Sequence, residues 1–191
     1  VNAIKHLEKA KQLAINLKIK EKEGLIFKRL GDAHFNNNKV TKAIKLYEEA
    51  LNIGQLLKDP LLQLDSLIAI GKCFIKSNDE EKAINYFHRA NTFASKIGDH
   101  ETEEHLYGEI AEAYSEIGRI DKTKEYLEKA IDKARLKKKK AKWRVKLGDL
   151  HFNKRKYKEA QEEYKKALEF FKDMDKVDQC HLYAKLGHSI S

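Results

Sequence analysis

The chain contains the stretch LGDAHFNNNKVTKAIKLYEEAL (residues 30–51), and LGDLHFNKRKYKEAQEEYKKAL (residues 147–168) repeats its pattern. Each stretch opens with leucine and glycine, and alanine, tyrosine and alanine follow that glycine after 12, 16 and 19 residues. The pattern returns with substitutions after Gly71 and Ala111, and its opening returns at Gly187. The steps between these five positions are 40, 40, 37 and 39 residues. A period of this size is typical of solenoids of stacked helical hairpins, which usually serve as binding surfaces.

Within each period, apolar residues recur at three- and four-residue steps, which predicts two amphipathic helices, A and B. Polar turns such as Asn36–Asn38 separate them, and Asp59-Pro60 has the chemistry of a helix start. The predicted A helices span residues 21–37, 61–77, 101–117, 139–154 and 176–190. The predicted B helices span residues 2–18, 40–56, 80–97, 120–135 and 157–173.

The composition supports an all-helical protein, since charged residues make up 36% of the chain and there is one proline. The sequence contains no run of eighteen apolar residues, so we expect no membrane span. Cys73 and Cys180 have no partner cysteine at metal-site spacing, which favours free thiols in a reducing compartment. We therefore expect an intracellular protein, cytoplasmic first, with the nucleus as the alternative. No catalytic motif occurs, so the sequence predicts neither an enzyme nor a cofactor.

The order of the repeated residues resembles the tetratricopeptide repeat, best in Leu30–Ala50 and Leu147–Ala167. The resemblance implies an all-α, right-handed superhelical solenoid of stacked antiparallel helix pairs. The third copy departs from the pattern at Ala111 and Thr123, and Trp143 lies one place before the family's usual aromatic position. We expect Gly or Ala on helix A to face Ala on helix B, so that the two backbones pack closely.

We expect one array over residues 1–191, cut from a longer protein because it begins and ends with half a repeat. Its predicted parts are a half repeat over 1–20, full repeats over 21–60, 61–100, 101–138 and 139–175, and a half repeat over 176–191.

In this family the A helices line the concave side, and the resemblance implies a groove there for a protein or peptide segment. The predicted groove residues are Lys28, Arg29, Asp32, Asn36, Lys72, Lys76, Glu109, Glu112, Glu116, Lys142, Lys146, Asp149, Asn153 and Lys185. The alternative is that these are only the solvated faces of amphipathic helices. The function predicted first is thus a non-enzymatic scaffold for protein–protein interaction, with its oligomeric state left open.

Some family members hold a chaperone's C-terminal carboxylates with a fixed set of Lys, Asn and Arg residues. Here Lys28 is followed by Asp32, and Ala69, His105 and Glu109 occupy other places of that set. The sequence therefore predicts no chaperone-tail binding of that kind.

Positive charge is concentrated in residues 133–158, where thirteen Lys and Arg residues accompany one acid, Asp149. The basic patch predicted there comprises Lys137, Lys138, Lys139, Lys140, Lys154, Arg155 and Lys156. It suits a polyanion, either nucleic acid or phosphoprotein, which is the alternative function; a solubilising surface is the simpler interpretation. Nucleic acid is the less favoured ligand because Trp143 and Tyr157, the aromatics nearby, are interpreted as core residues. The eight histidines are interpreted as core or surface residues, and no metal site is predicted.

Overall fold

The computed structural model describes residues 2–171 and 176–189. The described residues form ten α-helices and no strand. The helices are α1 (Asn2–Asn16), α2 (Lys20–Asn36), α3 (Val40–Leu57), α4 (Pro60–Lys76), α5 (Glu80–Ile97), α6 (His100–Glu116), α7 (Ile120–Lys133), α8 (Lys137–Asn153), α9 (Tyr157–Phe171) and α10 (Lys176–His188). All predicted helices are confirmed to within two residues, although the predicted ends at 173 and 190 lie outside the described residues.

The helices fall into two compact units, Val1–Gly98 with α1–α5 and Asp99–Ser191 with α6–α10. Within each unit, every helix packs against the next one in the chain. Within each unit, the described connections between neighbouring helices are two or three residues long, so the helices that they join form antiparallel hairpins. The even-numbered helices are the A helices and the odd-numbered ones the B helices.

Short-range signals set the helix ends. Asp59 accepts hydrogen bonds from the backbone N–H groups of Leu61 and Leu62, at 3.0 and 3.1 Å, which confirms the predicted helix start. Asp79 and Asp99 cap α5 and α6 in the same way. Left-handed residues mark most of the turns: Lys18, Asn38, Lys58, Asn78, Gly98, Gly118 and Arg155. The first six of these follow at a constant step of twenty residues, half the repeat period.

The recurring glycine makes room for a ring. A Cβ atom on Gly31 would lie 2.5 Å from the Tyr47 ring, and Gly71 and Gly148 have the same relation to Phe87 and Tyr164. The nearest contact of this glycine across the hairpin is therefore the aromatic residue of helix B, and not the alanine that the sequence led us to expect there. The third repeat fits the same rule, since the smaller Leu127 occupies the aromatic position where Ala111 replaces glycine.

The step of 37 residues arises in α7. This helix has 14 residues, whereas α3 and α5 have 18 each. The connection that follows ends at Leu136, whose backbone is extended and whose side chain gives α8 no cap. Three residues are thus missing immediately before the lysine run that opens α8.

Aromatic residues near the basic stretch differ in burial. Trp143 is buried, packs on Gly108 of α6, and donates its indole N–H to Glu104 at 2.6 Å, so its interpretation as a core residue is confirmed. Tyr157 is 42% exposed and contacts Phe152 edge-on. The core interpretation of Tyr157 is wrong because this residue opens α9, at the rim of the helix pair.

The two cysteines and the two histidines of the repeat motif differ in burial. Cys73 is a buried free thiol whose burial raises its pKa to about 11, and Cys180 is an exposed free thiol. His34 is buried and His151 half-buried, and burial lowers the pKa of both imidazoles. Among the described residues no cluster of His, Cys, Asp or Glu has the geometry of a metal site. None of the helices described is long and apolar enough to cross a membrane.

Candidate functional site

The A helices of the second unit carry polar residues at matching places in the repeat. Relative to the motif glycine (or Ala111), these places are six and two residues before it, and one and five residues after it. On α8 they hold Lys142, Lys146, Asp149 and Asn153. Steps of four, three and four residues keep side chains on one face of an α-helix. The repeat therefore directs these residues to a common surface.

Three adjoining clefts lie along that surface, between α6, α8 and α10. The largest, of about 570 Å³, lies between α8 and α10 and includes Lys142, Lys146, Asp149 and Lys185 in its lining. A cleft of about 450 Å³ continues it toward Asn153. A third, of about 170 Å³, is lined in part by Glu112, Lys146, Asp149 and Asn153. The structure thus brings together six of the predicted groove residues of this unit.

Ion pairs join neighbouring A helices along these clefts, at equivalent positions of the repeat. Lys146 of α8 contacts Glu112 of α6, and Lys185 of α10 contacts Asp149 of α8. In each pair the carboxylate lies one residue after the motif position of its own helix (Ala111 or Gly148). The lysine lies two residues before the motif glycine of the next A helix (Gly148 or Gly187). The hydroxyl group of Tyr164 donates to Asp149 at 2.7 Å, which links the pairs to the buried ring behind the motif glycine.

Burial shifts the pKa values of two residues along these clefts, Lys146 and Tyr164. It lowers the pKa of Lys146, while the nearby carboxylates of Glu109 and Asp149 act in the opposite direction. Burial and the hydrogen bond to Asp149 raise the pKa of Tyr164, so this phenol stays a proton donor. Lys146, Asp149 and Tyr164 therefore form part of a network of hydrogen-bond donors and acceptors along the clefts.

The first unit has a cleft of the same type between α2 and α4, and it is smaller than the two larger clefts of the second unit. Its volume is about 270 Å³, and its lining includes the predicted residues Lys28, Asp32 and Lys72. Tyr47 donates to Asp32 at 2.8 Å, which repeats the geometry of Tyr164 and Asp149. Lys28 forms an ion pair of 2.8 Å with Asp65.

The remaining predicted groove residues line none of these four clefts. Arg29, Asn36 and Glu116 are exposed on their helices, and the Glu109 carboxylate lies 3.1 Å from Nε2 of His105. Lys76 lies against Phe35, 4.4 Å from the ring centre, and donates to its backbone carbonyl at 3.1 Å.

The apolar residues Val145 and Leu182 were missed by sequence reasoning, although they line the largest cleft. Leu182 is 2% exposed, and Val145 packs against the same core cluster. Their signal was available, since each lies beside groove lysines on an A helix. A search restricted to polar residues passes over them.

Sequence models of the tetratricopeptide repeat match residues 23–96, and also residues 104–132 and 144–173. Together these matches cover most of the chain. The chain belongs to the tetratricopeptide repeat family. Such repeats are generally non-enzymatic scaffolds that bind proteins or peptides. No curated protein matches the chain in sequence.

Solved structures show the same fold at low sequence identity. BtubC (BKLC) from P. vanneervenii is similar with a TM-score of 0.77 and 20% identity, over 98% of this chain and 80% of that one. The apo form of RapI has a TM-score of 0.84 and 14% identity, over 99% of this chain and 54% of that one. A third similar structure is a signal transduction ATPase with a tetratricopeptide repeat sensor, from Pyrococcus horikoshii. Its TM-score is 0.73 at 18% identity, over 89% of this chain and 26% of that one.

The residues of the predicted basic patch form two groups, one at each end of α8. Lys137 and Lys138 are exposed near its start, and Lys154, Arg155 and Lys156 are exposed in the connection after it. The helix has 17 residues, so these two groups are separated by about 25 Å. Lys139 and Lys140 are half-buried.

Internal carboxylates neutralise part of the basic stretch. Lys133 pairs with Glu103 at 3.0 Å, and Lys139 pairs with Glu101 and Glu104 at 2.9 and 3.0 Å. Arg144 pairs with Glu163 at 2.6 Å, and Lys146 pairs with Glu112 as described above. At least four of the thirteen cations therefore have a carboxylate partner supplied from outside residues 133–158. The net charge of the stretch overstates the charge that it offers to a ligand.

Proposed function

We propose that this chain is a non-enzymatic scaffold whose A-helix faces bind a segment of a partner protein. The observation that carries the proposal is the coincidence of two independent features in the second unit. Six of the eight polar residues that the repeat pattern selects in this unit also line the clefts between consecutive A helices. A merely solvated helix face gives no reason for such clefts.

Hydrogen bonds within the chain also support binding, because they hold lining residues of the clefts in place. Asp149 and Asp32 are each held by a buried tyrosine hydroxyl group, at 2.7 and 2.8 Å. Side chains that are already ordered lose less conformational entropy when a ligand binds. The same arrangement in both units points to a common use.

The A helices of the second unit differ in the sign of their charge. Glu109, Glu112 and Glu116 make α6 acidic on its groove face, whereas Lys142, Lys146 and Lys185 make α8 and α10 basic. Basic elements of a partner would therefore bind beside α6, and acidic elements between α8 and α10. Such complementarity sets position and specificity more than affinity.

A peptide selection followed by charge reversal tests the proposal. Peptides selected from a random library on the immobilised chain would be measured against Lys72→Glu and Lys142→Glu, which change A helices. The matched controls are Lys45→Glu and Lys165→Glu, which reverse exposed lysines on B helices. We expect an A-helix reversal to weaken binding by about tenfold or more, and the controls to leave it nearly unchanged. Equal losses for both classes would refute the proposal.

Polyanion binding is the second candidate, because Lys154, Arg155 and Lys156 are exposed together. A ligand held by phosphate contacts would lose affinity steeply between about 0.1 and 0.3 M salt. Lys154→Glu would then reduce the slope of log affinity against log salt by about one. Binding that survives the higher salt and does not respond to Lys154→Glu would exclude this candidate.

A further inference from the structure

The cleft between α8 and α10 combines an apolar floor with a cationic rim. Val145 and Leu182 supply the apolar floor. Leu182 belongs to the core of this unit together with Ala141, Tyr164 and Ala167, so the floor is rigid. A volume of about 570 Å³ lies within the range of roughly 300–1,000 Å³ that is usual for ligand pockets.

The rim is almost entirely basic. Its charged residues are Lys138, Lys139, Lys142, Lys146 and Lys185, with Asp149 as the carboxylate and His181 on the α10 side. Lys139, Lys146 and Lys185 already contact carboxylates of this chain. Lys142 instead lies over the Trp143 ring, 4.7 Å from its centre, and is exposed. Lys142 is thus placed to meet a carboxylate from outside.

The lining fits a peptide better than a phosphate backbone. A phosphate backbone would bring negative charge against the Asp149 carboxylate, and it has no apolar group that could cover the floor. An apolar side chain covers the floor, and acidic neighbours meet the rim. The internal ion pairs reduce the charge available for a uniform polyanion while leaving the apolar floor unaffected.

We propose that this cleft binds an acidic segment of a partner protein through one large apolar side chain, which enters between Val145 and Leu182. Carboxylates on either side of that side chain pair with Lys142 on α8 and with the lysine-rich rim. This inference rests on the proposed function and names its partner chemistry.

Synthetic peptides with one leucine between glutamates are the probe, and fluorescence anisotropy measures their affinity. Three further ligands separate the contributions: the same peptide with alanine for leucine, with glutamine for glutamate, and an oligothymidylate as polyanion. We expect the alanine peptide to bind about tenfold more weakly or worse, because the apolar contact is lost. The glutamine peptide should lose a similar factor if Lys142 pairs with a carboxylate.

Protein variants locate the site. Lys142→Glu should weaken the leucine peptide by about tenfold, and Lys165→Glu on α9 is the matched control. Val145→Thr keeps the shape of the floor but makes it polar, and it should reduce the difference between the leucine and alanine peptides. Circular dichroism of each variant verifies that the fold is retained.

Several outcomes would overturn the inference. Equal affinity of the leucine and alanine peptides would do so, as would equal effects of Lys142→Glu and Lys165→Glu. No binding of the leucine peptide below about 1 mM, or its displacement by tighter-binding oligothymidylate, would also overturn it. If library-selected peptides still bind and respond to Lys72→Glu, the scaffold function survives and only this cleft assignment fails. If no selected peptide depends on an A helix, both fail.

Discussion

Replacing Gly148 by alanine should destabilise the protein, although alanine is the better helix former. The added Cβ would lie 2.5, 2.7 and 3.1 Å from Cε1, Cδ1 and Cζ of Tyr164. Favourable carbon contacts are about 3.5–4.0 Å, so the ring or the helix must move by about 1 Å. Tyr164 is 2% exposed and hydrogen-bonded to Asp149, which leaves the ring little room to move.

The magnitude follows from two opposing terms. Overpacking a buried site costs about 1–3 kcal/mol. Exchanging glycine for alanine inside a helix returns about 1 kcal/mol. The two terms leave a net loss of about 1 kcal/mol, and of about 2 kcal/mol at most, which is a few degrees in Tm for a chain of this size.

Gly187 provides the matched control. It occupies the same motif position in α10, but nothing lies within 4 Å of its Cβ position. Gly187→Ala should thus be neutral or stabilising by at most about 1 kcal/mol. Urea unfolding followed by circular dichroism measures both variants. If Gly148→Ala stabilises the protein as much as Gly187→Ala does, the glycine does not make room for the ring.

A double variant tests the same contact in the opposite direction. Gly148→Ala with Tyr164→Leu recreates the Ala111 and Leu127 pair of the third full repeat. The loss caused by Gly148→Ala should be smaller in the Tyr164→Leu background than in the wild type. Strict additivity of the two changes would show that the residues are not coupled.

Two further predictions concern α8 and the buried acids. Leu136→Asp should stabilise the chain by about 1 kcal/mol relative to Leu136→Ala in a thermal melt, because α8 lacks a side-chain cap and begins with four lysines; equal stability of the two variants would contradict this. Burial favours protonation of Glu103, but hydrogen bonds from Lys133 and His100 prevail and hold the pKa of its carboxyl below the usual value. Glu103 therefore adds stability above its unfolded pKa of about 4.3, and this contribution is lost as pH falls through the lower folded pKa. The difference in urea stability between wild type and Glu103→Gln should accordingly shrink from about pH 6 to about pH 3, and a constant difference would refute the assignment.

The fold was predictable because the same local signals for helices and turns recur in each copy of the repeat. Helical periodicity, aspartate caps and the motif glycine agree in successive copies, so the helix ends were placed within two residues. The partner of the glycine was not predictable in the same way. An alanine and an aromatic residue both recur on helix B. Only the structure shows that the aromatic residue lies nearest to Gly31 and Gly148.

The candidate site was predictable in part. The positions of Lys142, Lys146 and Asp149 follow from the period, which sets the face of the helix. The ion pairs of Lys139 and Lys146 did not follow, because they join residues more than thirty places apart. Because these ion pairs could not be foreseen, the sequence analysis counted every lysine and arginine of residues 133–158 as available to a ligand.

Amide NMR shifts during a titration with a library-selected peptide would show which helix face binds. In the second unit, binding to the A-helix face predicts shifts concentrated in α6, α8 and α10, with Lys142→Glu removing those of α8. Shifts concentrated in α7 and α9, and unaffected by Lys142→Glu, would contradict a binding surface on the A helices.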